Sequence, residues 1–101
     1  MLVAERDGVL NPQGYDLHHC FFHSELDYGV TKEELEQLWN YQAVPRVYHE
    51  AIHNPENDTI AKLGHSKELF YKKLALSRYQ GKFRKQLEKI LKKKSIHYGI
   101  L

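Results

Sequence analysis

The stretch that decides the fold covers residues 40–55 and reads NYQAVPRVYHEAIHNP. Residues 40–44 are predicted as a strand. Pro45 suits the first position of a following helix, because its missing N–H would lack a partner there in any case. The helix ends at Asn54-Pro55, since proline disfavours the helical conformation of the residue before it. This stretch therefore predicts a strand that leads directly into a short helix.

The predicted helix carries two histidines, His49 and His53, one turn apart on the same face. Imidazole nitrogen is a good ligand for zinc and other late divalent metals, so such a pair can bind one ion. Two histidines at this spacing are more often ordinary surface residues. The pair by itself leaves both interpretations open.

Toward the N-terminus, residues 15–22 form another predicted strand, which is rich in aromatic residues and contains Asp16-Leu17-His18-His19. Adjacent residues of a strand point to opposite sides, so His18 and His19 are expected to have different tasks. One ring can bind a metal while the other stays free as a neutral base, since imidazole titrates near pH 6.5. A packed or solvated pair is the alternative.

The rest of the chain is predicted to be mainly helical. Thr31 and Glu34 form a capping box that starts a short helix running through Trp39. Ser66 is the predicted cap of a further helical segment, because apolar residues recur at helical spacing after it. Gly81 is expected to bend or divide that segment. The predicted fold class is therefore α+β.

Composition places the chain among small globular proteins. Its 101 residues suffice for one compact domain, 42% of them are hydrophobic, and no apolar run reaches the length of a membrane span. Cys20 is the only cysteine, which favours a reducing cytoplasm and excludes a disulfide within the chain.

Charge is distributed unevenly along the chain. Residues 1–65 carry four basic and eleven acidic side chains, whereas residues 66–101 carry eleven basic and two acidic ones. This asymmetry favours a polyanionic partner at the C-terminal end, with a solvated lysine-rich helix as the alternative.

These elements together resemble a known family, the HNH endonucleases with their ββα-metal fold, and particularly the colicin-type DNase domains. In that family a strand ending in acidic-Leu-His-His precedes a loop and an Asn, and a second strand and a helix with His-x-x-x-His follow. The resemblance covers residues 7–54, about half of the chain. The matching residues are Asp16-Leu17-His18-His19, Asn40, His49 and His53.

The resemblance implies a role for each matching residue. His18, His49 and His53 become ligands of one divalent metal (Zn, Ni, Mn or Mg) with a fourth coordination position left open, and His19 becomes the general base. Asn40 holds the loop, and with it the His19 backbone, and Asp16 orients a neighbouring side chain. The implied architecture is a ββα-metal core over residues 1–64, followed by a basic helical extension over residues 65–101.

The chain departs from the family pattern at three places. Leu10 and Gln13 stand where many relatives carry cysteines for a structural zinc, so that zinc is not expected. Cys20-Phe21-Phe22 replaces the usual proline after the two histidines, and the loop up to Trp39 is longer than in compact members. These departures affect the geometry of the loop more than the chemistry.

The expected function is metal-dependent endonucleolytic cutting of double-stranded DNA with weak sequence preference, in the cytoplasm of a bacterial or phage-infected cell. Specificity, if any, would come from a partner protein. One alternative is a non-catalytic, metal-stabilised nucleic-acid-binding module, and another is a helical interaction subunit whose histidines bind nothing. The basic residues expected to contact phosphates are Arg46, Lys72, Lys73, Arg78, Lys82, Arg84, Lys85 and Lys89.

Overall fold

A computed structural model describes residues 2–100 and confirms the α+β class. Among these residues, none of the helices combines the length and apolar content that crossing a membrane requires. Short 3-10 helices cover His23–Tyr28 and Leu38–Asn40. The remaining elements, in chain order, are α1 (Leu2–Arg6), β1 (Tyr15–His19), α2 (Lys32–Leu35), β2 (Tyr41–Pro45), α3 (Arg46–His53), α4 (Asp58–Arg78) and α5 (Arg84–His97).

β1 and β2 pair antiparallel, with His18 opposite Gln42 and His19 opposite Tyr41. The sequence predicted a first strand reaching residue 22, but β1 ends at His19. Beyond that point the side chain of Asn40 takes the place of a partner strand. Its Oδ1 accepts from the Phe21 N–H at 2.7 Å, and its Nδ2 donates to the Phe21 carbonyl at 2.9 Å.

β2 leads into α3 without a loop, as the sequence predicted. Pro45 has φ −51° and ψ 135°, which is an extended conformation, and it pairs with Tyr15 as the last residue of β2. The prediction that Pro45 is the first helical residue was therefore wrong by one position. α3 ends at His53, one residue before Asn54-Pro55, as expected.

The connection between the strands begins its α2 helix as predicted. The Thr31 hydroxyl accepts a hydrogen bond from the Glu34 N–H at 3.2 Å, which is the cap that the sequence indicated. The predicted helix through Trp39 instead stops at Leu35. The carbonyl of Leu35 accepts a hydrogen bond from Nδ2 of Asn40 at 2.9 Å, so Asn40 joins the end of α2 to the segment around Phe21.

α4 begins earlier than predicted and crosses the expected boundary between residues 64 and 65. The side chain of Asn57 caps it by accepting from the Ile60 N–H at 2.9 Å, so the predicted cap at Ser66 was wrong. Gly64 lies where α4 crosses α3, and a Cβ there would overlap the carbonyl oxygen of Ala51. Glycine therefore allows the two helix backbones to meet closely.

One hydrophobic core joins residues from both sides of that boundary. Phe21, Leu35 and Val44 pack with Leu87 and Ile90 of α5, and these five side chains are at most 1% exposed. Side chains of α4 complete the core. α5 is separated from α4 by the segment around Gly81, where the sequence predicted a bend or division. The C-terminal helices are thus part of the same packed body as the strands.

Candidate metal centre

The fold brings His18, His49 and His53 together. One nitrogen of each ring lies within 4.8 Å of a nitrogen of the other two. β1 supplies His18 and α3 supplies the other two, one helical turn apart. Tetrahedral zinc with ligands at about 2.0–2.1 Å would hold three nitrogens roughly 3.3 Å apart, so the rings would have to move closer together by up to about 1.5 Å to bind one ion.

His18 is the least ordinary member of this cluster. Its side chain is fully buried, and neither ring nitrogen has a hydrogen-bond partner among the described residues. Burial, together with the nearby charges of His49 and Lys72, lowers the pKa of His18 to about 3. The ring is therefore neutral at physiological pH, which is the form that binds metals.

Asp16 contacts His49, one of the candidate ligands. Its Oδ2 lies 3.0 Å from Nδ1 of His49, and Oδ1 accepts from Nε of Arg46 at 3.2 Å. The hydrogen bond with His49, followed by the one with Arg46, keeps the pKa of Asp16 below its usual value. A carboxylate on Nδ1 fixes the ring and leaves Nε2 for an ion, which is the common arrangement around metal-bound histidine. The structure thus places Asp16 where the sequence expected an orienting carboxylate.

Asn40 is fully buried, and its side chain bonds only to backbone groups of Phe21 and Leu35 among the described residues. It therefore ties down the loop that follows His19, which is the position that the family resemblance implied for it. Its contacts fall two residues beyond His19, not on the His19 backbone itself. Its Oδ1 and both Nδ2 hydrogens are used in these bonds.

His19 faces a different set of side chains from its neighbour His18, as expected for adjacent strand residues. Its ring centroid is 4.3 Å from that of Tyr41 and 5.3 Å from that of His23. Nε2 lies 3.5 Å from Oε2 of Glu36. His19 also borders an open cleft of about 440 Å³ that His49 and His53 line, so the candidate base and two candidate ligands face the same space.

Lys72 corrects one prediction, because it is not available to DNA. The side chain is fully buried, and Nζ donates to the carbonyl of Cys20 at 2.7 Å. Nζ also lies 3.1 Å from Glu25, 3.5 Å from Glu68 and 3.6 Å from the ring centre of Phe22. Two carboxylates and an aromatic face compensate the buried charge, and the ammonium thereby ties α4 to the loop after β1.

Two predicted phosphate contacts have structural tasks. The half-buried Arg78 donates to the carbonyls of Trp39 and Tyr41 and to the side chain of Gln42. Arg84 donates to the carbonyls of Leu76 and Tyr79, which lie at the end of α4. The exposed members of the predicted set are Arg46, Lys73, Lys82, Arg84, Lys85 and Lys89.

The sequence did not single out Glu36. It allowed His23 to be a spare ligand at a loop edge, but an ordinary surface histidine was the preferred interpretation. The structure places both beside His19, and Nε2 of His23 lies 2.6 Å from Oε1 of Glu36. The four-residue spacing of His19 and His23 gave no clear signal, because the two residues lie on different elements. The position of Glu36 depends on where α2 ends, which the capping box at Thr31 does not fix.

Cys20 takes no part in this chemistry. It is fully buried, and burial raises the pKa of its thiol to about 12, which keeps it protonated.

A scan with protein-family models and searches of curated proteins and of solved structures find no significant match to this chain.

Proposed function

We propose that this protein is a metal-dependent endonuclease that hydrolyses phosphodiester bonds of DNA. The observation that carries the proposal is His18, a buried neutral imidazole without a hydrogen-bond partner among residues 2–100 and with His49 and His53 within reach of the same ion. A buried polar group without a partner costs about 1–3 kcal/mol. A bound cation would remove that cost.

The donor set fits a late divalent metal. Three neutral imidazoles suit zinc or nickel better than magnesium, which prefers oxygen ligands. When bound, such an ion supplies positive charge that stabilises the charge developing on the phosphate and the leaving oxygen. His18, His49 and His53 would hold it, and Asp16 would keep the His49 ring in the binding orientation.

His19 supplies the base in this proposal. A neutral imidazole has one protonated and one free nitrogen, and the partner of the first decides which is which. With the proton on Nε2, directed at Glu36, the lone pair of Nδ1 is free to take a proton from the attacking water. Asn40 keeps the loop after His19 in place and thereby limits the movement of the base.

The exposed lysines of the C-terminal region would bind the phosphate backbone. Lys85 and Lys89 are one turn apart on α5 and exposed, and Lys82 precedes the same helix. Lysines that contact phosphates hold the duplex without reading its sequence, so double-stranded DNA would be cut with weak sequence preference. The cytoplasm of a bacterial or phage-infected cell is part of the same proposal, as is a partner protein that supplies specificity.

The test is a plasmid-nicking assay with native protein and with His19→Ala, each with zinc, nickel, manganese and magnesium in turn. We expect the native protein to convert supercoiled DNA to the open circle, and His19→Ala to be slower by about 10²–10⁴-fold. His97→Ala, which removes an exposed histidine of α5, is the matched control and should cut like the native protein. If no metal supports cutting although the protein binds zinc and DNA, a non-catalytic binding module replaces the proposal.

A further inference from the structure

A second group of metal-binding side chains lies next to the first. His19, His23 and Glu36 each offer one ligand atom within 4.8 Å of the other two. They come from three places in the chain, namely the end of β1, the start of the 3-10 helix His23–Tyr28, and the residue after α2. Their side chains are 37%, 46% and 38% exposed, so an ion from solvent can reach all three.

This group is held in place by more than its own contacts. The hydroxyl of Tyr41 donates to Oε2 of Glu36 at 2.6 Å, and the Tyr41 ring packs on His19. The hydrogen bond from Tyr41, followed by those from His19 and His23, lowers the pKa of Glu36 to about 2. A carboxylate in its charged form beside two imidazoles is a donor set that zinc and other late divalent metals bind.

We infer that His19, His23 and Glu36 form a second divalent-metal site, and that its occupation inhibits the enzyme. The inhibitory part rests on the proposed function, because it requires His19 to be the base. An ion bound to Nε2 of His19 forces the ring proton onto Nδ1, since neutral imidazole carries one proton on its two nitrogens. Nδ1 then has no lone pair with which to accept a proton from water.

Two consequences distinguish this site from an ordinary surface ion pair. The protein binds two zinc ions, one at each cluster. Cutting depends on zinc in two phases, because the ion at His18, His49 and His53 activates and the ion at His19, His23 and Glu36 inhibits. His23 and Glu36 are exposed and His19 is half-buried, whereas the first site includes the fully buried His18, so we expect the second site to fill at higher zinc concentration.

The first experiment is calorimetric titration of zinc into the full chain, purified without an affinity tag. We expect two equivalents in the native protein and one in each of His23→Gln, Glu36→Gln and His49→Ala. The matched control, His97→Gln, should keep two. Loss of one of three protein ligands should weaken the second site by more than the roughly 10–100-fold typical of losing an outer partner. Circular dichroism checks the fold of each variant. His23 and Glu36 are both exposed, so their substitution should leave the fold intact.

The outcomes separate the two proposals. One equivalent in the native protein, lost in His49→Ala and kept in His23→Gln, overturns the second site and leaves the first standing. One equivalent that is lost in His23→Gln but kept in His49→Ala overturns the proposed metal centre instead. Two equivalents that both persist in His23→Gln and Glu36→Gln also overturn the second site.

The second experiment measures the plasmid-nicking rate at ten equivalents of zinc divided by the rate at one equivalent. In the native protein this ratio should be well below one, because filling the second site should slow cutting by up to the 10²–10⁴-fold that a general base contributes. In His23→Gln it should stay near one, because zinc no longer competes for His19. A ratio near one in the native protein, with both sites shown to be filled, contradicts the inhibitory role.

Discussion

At the scale of single residues, His18 decides what the site can do. The ring nitrogens of a fully buried histidine normally form hydrogen bonds, but among the described residues neither nitrogen of His18 has a partner. Its ring instead lies 5.2 Å from that of His49 and 5.6 Å from that of His53, measured between centroids. Three imidazoles at this separation repel one another when charged, and when neutral they could hold one ion.

A metal at this cluster should stabilise the folded protein. Zinc that binds only the native state adds about 2.7 kcal/mol at a concentration 100 times its Kd. For a chain of this size we expect a rise in Tm of roughly 10–20 °C, measured by differential scanning calorimetry. His53→Ala removes an exposed ligand from the cluster and should lose most of this rise, whereas His65→Ala, at a half-buried histidine outside it, should keep it. A rise of equal size in His53→Ala would remove the metal site from the proposed function.

Asp16 should tune this centre without binding the ion. In Asp16→Ala the His49 ring loses its partner, and zinc affinity should fall by about 10–100-fold. Asp16→Asn keeps an oxygen that can accept from Nδ1 and should lie between Asp16→Ala and the native protein. Asp27→Ala removes an exposed carboxylate elsewhere and controls for the change in net charge. Competition with a chelator measures the affinities, and equal affinity in Asp16→Ala and the native protein would contradict the orienting role.

The spacing of His49 and His53 predicted that they share one face of a helix, but only the family resemblance implied that His18, and not His19, meets them. The sequence did not predict Glu36 as a neighbour of His19, since that contact depends on the path of a long loop. The burial of Lys72 did leave a signal. Residues 68, 69, 72, 75, 76 and 79 follow helical spacing and are all buried, so Lys72 belongs to the inner face of α4. The positive charge of Lys72, taken alone, had wrongly favoured a contact with phosphate.

At the scale of elements, α3 carries the candidate ligands His49 and His53, and its close contact with α4 at Gly64 fixes where α3 lies. Gly64→Ala would push the backbone of α3 away from α4, because the added methyl group meets the carbonyl of Ala51. We expect a loss of about 1–3 kcal/mol in the free energy of unfolding, measured with urea, and weaker zinc binding. Ser66→Ala changes an exposed position of the same helix and should alter neither. Gly64→Ala with native stability would show that the helices can separate freely.

The strand–helix order was predictable because its signals are local. Proline sets the junction of β2 with α3, and Asn54-Pro55 sets the end of α3. The start of α4 was placed at Ser66 because the apolar spacing is clearest after it, yet Asn57 offers the hydrogen bond that begins the helix. α1 went unpredicted, since five residues give too short a pattern and its stability comes from Val3 and Ala4 packing on Ala43.

At the scale of the whole molecule, the charge asymmetry divides the chain into two parts, but the core does not. Removing α5 would remove Leu87 and Ile90 from the core, so a truncation would test folding rather than DNA binding. The exposed lysines can be neutralised without this difficulty. Lys82, Lys85 and Lys89 are all exposed and take part in no ion pair among the described residues.

The triple variant Lys82→Gln, Lys85→Gln, Lys89→Gln should therefore bind DNA more weakly and with less dependence on salt. Each phosphate contact releases about 0.9 counterion from duplex DNA, so the loss of three contacts should flatten the slope of log K against log salt by about 2.7. Fluorescence anisotropy at several salt concentrations measures that slope. The double variant Lys32→Gln, Lys62→Gln neutralises exposed lysines in the acidic part of the chain and should keep the native slope. Zinc affinity should stay unchanged in both variants, because none of these lysines lines the cleft at His49 and His53. A native slope in the triple variant would mean that DNA, if bound at all, lies on another face of the protein.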